Sequence, residues 1–139
     1  MALLPVADAL TQVLNSVCEL EVESISLHEA RGRTIASDTS SNLTQPPFGA
    51  SAMDGYAIRF NDIVDPLTVV GESQAGRAYG GTLKSGEAVR IFTGAPMVDG
   101  ADTVVIQENV TRTENQIIIN SCKKQGANIR AAGSDFMVG

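Results

Sequence analysis

Ser37-Asp38-Thr39-Ser40-Ser41-Asn42-Leu43-Thr44-Gln45-Pro46-Pro47-Phe48-Gly49 divides this chain into two kinds of sequence. The stretch is polar. Its adjacent prolines fix φ and remove two amide donors, which favours an extended linker. Upstream, Val6, Leu10, Val13, Leu14 and Val17 recur at helical spacing behind Pro5, a residue suited to a first helical turn. A helix is expected over 5–17, a short strand over 22–27, and a short helix or turn over 28–36, weakened by Gly32. Downstream the pattern becomes β-rich, with strands expected over 56–59, 67–71, 88–92, 103–107 and 117–119. Gly, Pro, Asn and Asp separate these runs, and 108–116 reads as a hairpin connection with Glu114-Asn115 at its tip. The expected fold class is α+β: a helical N-terminal piece, then a β-rich antiparallel, barrel-like domain.

Composition narrows the function classes. The chain has 139 residues, enough for one domain or two small ones, and a domain near this size buries roughly 68–70% of its unfolded surface. At 43% hydrophobic and 19% charged it reads as globular. Aromatics make up 4% and Trp is absent, so the core is expected to be aliphatic. A net charge of −6 argues against nucleic acid as a bulk partner. No run is long and apolar enough for a membrane helix, and the N-terminus lacks the basic start of a signal peptide, so a cytoplasmic location is expected. Cys18 and Cys122 lie far apart without a CxxC and read as two reduced, mostly buried thiols, with a disulfide or metal pair as the alternative.

Two clusters of small residues around a polar group do not look like core filler. They are Ser51-Ala52-Met53-Asp54-Gly55-Tyr56-Ala57 and Thr93-Gly94-Ala95-Pro96. A carboxylate beside Gly55 has little bulk around it, so a ligand can approach closely; hard cations such as Mg²⁺ prefer such oxygens. Against this stands the plainer reading of Asp54 as a turn residue bonding its own backbone. Thr93 and Gly94 offer a hydroxyl and a backbone N–H to an anion, or simply a strand exit fixed by Pro96. Arg130, in a Gly-flanked loop after Asn128, suits an oxyanion, or pairs with a surface acid. Asp135 reads as a metal ligand, as a partner of Arg130, or as a cap. Glu108 closes an apolar strand where its carboxylate could enter a cleft or remain solvated. His28 and Lys123-Lys124 receive no role. Met53 and Tyr56 are expected to pack beneath the Asp54 loop.

Together, Ser51–Ala57, Ile91-Phe92-Thr93-Gly94-Ala95-Pro96, Gly100 to Glu108, Asn128-Ile129-Arg130 and Gly133-Ser134-Asp135 resemble the N-terminal part of the molybdopterin molybdenumtransferases of the MoeA type, which include the gephyrin E domain. Gly32 to Asp38 is also similar to that family, and the resemblance covers essentially the whole chain. It implies a split first domain (1–40), a β-rich second domain (41–133) and the start of a return to the first (134–139). It implies molybdenum cofactor synthesis: molybdate enters adenylylated molybdopterin with release of AMP, in a step dependent on Mg²⁺ or another divalent cation. It further implies a homodimer with a cleft between the second domain of one subunit and the third domain of the other. Contact with the molybdopterin adenylyltransferase follows from the same resemblance. Asp54 and Asp135 would be catalytic, with Asp54 a metal ligand, and Thr93, Gly94, Glu108 and Arg130 would bind substrate. Two departures stand out. Ser134 occupies a position where family members usually carry Glu, and the chain ends before the third domain. A fragment of a longer protein is therefore expected, inactive alone and self-associating through apolar surface on its first helix. The rival expectations are a non-catalytic dimerisation or scaffolding module, and a stand-alone binder of a pterin or nucleotide.

Overall fold

The computed structural model describes residues 3–63 and 66–139, which fall into two compact units, Met1–Thr39 and Ser40–Gly139. The first unit holds one α-helix, α1 (Val6–Asn15), with Pro5 at its N-cap. Among its described residues the only other regular element is a 3₁₀ turn at Leu27–Glu29. The expected strand over 22–27 does not form: Val22 and Ile25 are exposed, and no described strand lies beside them to accept their backbone groups. A helical N-terminal part therefore reduces to a single helix, and the chain as a whole is mostly β.

The second unit contains the eight described strands. These are β1 (Ala50–Ser51), β2 (Gly55–Ile58), β3 (Leu67–Ser73), β4 (Glu87–Ile91), β5 (Thr103–Ile106), β6 (Val110–Thr113), β7 (Gln116–Ile119) and β8 (Ile129–Arg130). Six form one sheet in the order β5-β2-β4-β3-β7-β6, and β1 pairs with β8. The five expected strands are present, with ends shifted by a residue or two. The hairpin tip is also at Glu114-Asn115, where Glu114 takes φ 52°. However, the expected connection contains a strand, β6, so only those two residues join β6 to β7. The sheet is not purely antiparallel. Pairs β2–β4, β2–β5, β3–β7 and β6–β7 are antiparallel, whereas β3 and β4 run parallel, because residues 74–86 cross back before β4 begins.

The sheet must curl. If flat, five strand spacings would hold the edge strands β5 and β6 about 24 Å apart. Yet Ile106 and Val110 are separated only by a 3₁₀ turn, Gln107–Asn109, which spans at most about 14 Å even when fully extended. The core agrees with this. Tyr56, Ile58, Leu67, Ala88, Val105 and Ile117 form one buried cluster that reaches from β5 at one end of the order to β7, with Val110 of β6 at the other end packed against it. They fill the concave side. A second cluster, Ala57, Val89, Ile91 and Val104, lies on the opposite face under Leu83, Ala95 and Val98. With both faces covered, β2 is buried throughout, which is why it reads as an unbroken apolar run.

The proline-rich stretch is not a free linker. Gln45 donates to the Phe136 carbonyl and Gly133 to the Pro46 carbonyl, and Gly139 donates to Ser41. Residues 41–46 are thus stitched to 133–139 within the second unit. The Gln45-Pro46 bond is cis. Both cysteines are free thiols, but Cys18 is exposed and Cys122 half-buried, so the expectation that they are mostly buried fails.

Candidate functional site

Asp54 stands on the turn between β1 and β2, and three contacts fix that turn. Ser51 Oγ donates to the Met53 carbonyl at 2.6 Å, closing the turn locally. Gln107 N–H donates to the Asp54 carbonyl at 3.1 Å. Gly55, immediately after, is packed against β5. A Cβ built there would lie 2.0 Å from the Val105 carbonyl oxygen, so only glycine lets the two strands meet. The small residue beside the carboxylate thus serves close backbone packing.

The two sequence clusters come together. Asp54 Oδ1 accepts from the Thr93 backbone N–H and from Thr93 Oγ1, both at 2.8 Å. Gly94, at φ 81°, turns the chain so that its own N–H donates to the Ser51 carbonyl at 2.9 Å, while Ser51 N–H donates to Ala95. The donors that the sequence offered to an anionic ligand are therefore engaged inside the protein: the Gly94 N–H is taken by the Ser51 carbonyl, and Thr93 holds the Asp54 carboxylate. These bonds favour the ionised form. The Thr93 N–H and hydroxyl lower the Asp54 pKa, against a smaller opposing effect of burial, with a further lowering from Arg90. Asp54 and Thr93 both face solvent, and among the described residues nothing donates to Asp54 Oδ2.

Arg130 and Asp135 meet each other. Arg130 lies on β8 opposite Ala50, and its guanidinium pairs with Asp135 Oδ1 at 2.5 Å. Asn128, at φ 59°, accepts from Ala52 N–H at 2.9 Å and donates from its side chain to Val104. This loop therefore runs beside the turn carrying Asp54. Among the described residues, though, no ion pair or hydrogen bond joins Arg130 or Asp135 to Asp54 or Thr93. Glu108 sits in the 3₁₀ turn after β5, exposed, and accepts from the Gln107 side chain at 3.3 Å.

Tyr56 is buried, as expected, but Met53 is 43% exposed and lines an open cleft of about 450 Å³ with Ile106, Cys122 and Asn128. It does not pack beneath the loop. Two residues of the neighbourhood were not singled out from sequence. Arg90 donates to the Gly55 carbonyl and to Gln107 Oε1, and Gln107 in turn holds the Asp54 carbonyl. The signal was available: Arg90 is a lone cation in the otherwise apolar Ala88-Val89-Arg90-Ile91-Phe92.

A divalent cation does not find a complete cage here. Among the described residues no group of three or more Asp, Glu, His or Cys side chains converges. Asp54 offers one carboxylate with one oxygen already engaged. Mg²⁺ commonly takes one or two protein carboxylates and completes its shell with water and phosphate oxygens. The described residues supply at most a share of such a shell.

The MoeA N-terminal region family (domain I and II) matches residues 4–139. A molybdopterin molybdenumtransferase of Nostoc sp. is 37% identical over 96% of this chain and 33% of its own length. The Haemophilus influenzae molybdopterin molybdenumtransferase is 41% identical over 86% of this chain and 30% of its own length. Gephyrin of Dictyostelium discoideum is 33% identical over 97% of this chain and 21% of its own length. The crystal structure of the molybdopterin biosynthesis MoeA protein from Pyrococcus horikoshii OT3 is similar with a TM-score of 0.81 and 34% identity, over 99% of this chain and 38% of that one. The chain thus spans between 21% and 38% of these relatives' length. It belongs to the MoeA N-terminal region family.

Proposed function

We propose that this chain acts as the N-terminal part of a molybdenum cofactor biosynthesis enzyme, one that inserts molybdate into adenylylated molybdopterin with release of AMP. Membership of the MoeA N-terminal family along residues 4–139 supports the reading most directly. The geometry fits the role. Asp54 is held ionised and aimed by Thr93 in an exposed turn at the start of β2, where a preoriented carboxylate can act on a substrate or share a Mg²⁺ ion with its phosphates. Arg130, oriented by Asp135, offers donors to an oxyanion from the neighbouring loop. Glu108 contributes charge at the other end of the same turn network, and Gly94 shapes the loop that presents Thr93.

The 139-residue chain by itself is inactive in this reading, and a second copy completes the assembly in a cytoplasmic homodimer. The molybdopterin adenylyltransferase, which makes the substrate, is its proposed contact. The apolar face of α1 suits self-association: none of its residues is buried, with Leu10 58% and Leu14 61% exposed. That face also favours the second reading, a dimerisation or scaffolding module without catalysis.

A chimaera separates the two. The corresponding region of the Haemophilus influenzae transferase is replaced by this chain and expressed in a strain lacking the transferase. The proposal predicts restored molybdoenzyme activity. A stable, dimeric chimaera without activity would favour the scaffolding reading.

A further inference from the structure

Arg90 is the one cation in the apolar strand β4, and its surroundings are built for it. It lies directly across from Tyr56 in the β2–β4 register. Its guanidinium carbon stands 5.2 Å from the Tyr56 ring centroid and 4.7 Å from that of Phe92, so it is stacked against two aromatic faces. Stacking fixes the plane of the fork. One nitrogen donates to the Gly55 carbonyl at 3.0 Å and the other to Gln107 Oε1 at 2.7 Å. Those acceptors bracket Asp54. Gly55 follows it in the chain, and the Gln107 N–H holds its carbonyl. The Gln107 side-chain nitrogen then reaches Glu108 Oε1. Two carboxylates from different loops are thereby tied to one guanidinium.

We infer that Arg90 is a positioning residue. Its stacked fork locks the Asp54 turn to the Gln107–Asn109 turn, so that the Asp54 carboxylate meets Thr93 and Glu108 keeps a set place against Gln107. Arg90 touches neither carboxylate directly and acts through Gly55 and Gln107. The inference rests on the functional reading above for its catalytic consequence, but its geometric content stands apart from that reading.

The test has two arms. In this chain, amide hydrogen exchange is followed at Thr93 and Gln107, whose N–H groups both donate to Asp54, with Ile117 as a distant core control. Arg90→Met keeps an apolar stem beside the two rings and removes the fork. It should speed exchange at Thr93 and Gln107 by about tenfold while leaving Ile117 unchanged. Arg90→Lys should not rescue, because an ammonium cannot serve both acceptors in one plane. Should Arg90→Met fail to fold, Gln107→Met removes one acceptor at an exposed position, and it should loosen Thr93 selectively. Unchanged exchange at Thr93 in a folded variant overturns the inference. In the active chimaera, Arg90→Met should lower restored activity by about tenfold to a hundredfold, as a displaced carboxylate does. A wild-type chimaera without activity would instead refute the functional reading and leave the exchange arm standing.

Discussion

Thr93 and Asp54 form a pair in which each group does more for its partner than for global stability. Both are exposed, so their hydrogen bonds compete with water and hold geometry at little net gain. Thr93→Val removes the hydroxyl but keeps the backbone donor. Stability measured by urea unfolding should change by less than about 1 kcal/mol, while activity in the chimaera should fall by about tenfold. Acid unfolding reads the same pair. The native pKa of Asp54 lies below its ordinary value of 3.8. Its contribution is therefore fully present above that value and is lost as pH falls through the lower native one. Asp102 adds a limb of the same sign. Burial pushes its pKa up, but donors from Phe60, Gln125 and Thr103 outweigh that and leave it lowered. Asp54→Asn should flatten the fall of stability below about pH 4 relative to the native chain, and Asp102→Asn should do likewise.

At the scale of elements, two glycines of the site respond differently. Gly55 sits in β2 with the Val105 backbone against it, so Gly55→Ala must force β2 and its neighbour β5 apart. It should cost about 1–3 kcal/mol or more by urea unfolding. Gly94 has open space, its nearest neighbour being Ala75 Cβ at 4.0 Å, but it holds φ 81°. Gly94→Ala should cost only the left-handed strain, about 1–2 kcal/mol. Such elements were unevenly legible in the sequence. β2, β4 and β5 are buried on both faces, so their apolar runs stand out from the turns around them. β6 is an exposed edge strand of Thr and Arg, and β1 and β8 have two residues each, too short for a periodic signal. The expected strand at 22–27 had the right β-branched pattern but found no pairing partner, which local pattern cannot reveal. The parallel β3–β4 pair was hidden for a similar reason, since it depends on a crossover.

On the scale of the whole molecule, the motif clusters were legible because small residues around one charge are rare in a core. Their union was not, because Thr93 and Asp54 lie far apart in sequence and meet only when β2 and β4 pair. Arg90 stands out as a lone cation in an apolar strand, but its acceptors, Gly55 and Gln107, are brought to it only by the sheet pairing. The exposed face of α1 carries its own prediction. Light scattering should show self-association of this chain that rises with concentration, and Leu10→Glu with Leu14→Glu should reduce it. A monomer at high concentration would count against that face as the dimer surface.

The most direct measurement is the activity of the chimaera carrying Asp54→Ala, compared with the same chimaera carrying the native residue. The level of folded protein is checked by circular dichroism in both. The account predicts loss of restored molybdoenzyme activity by about a hundredfold or more with folding unchanged. Undiminished activity in the folded variant would show that Asp54 is a turn residue held by Thr93 for structure alone, and would contradict the site described here.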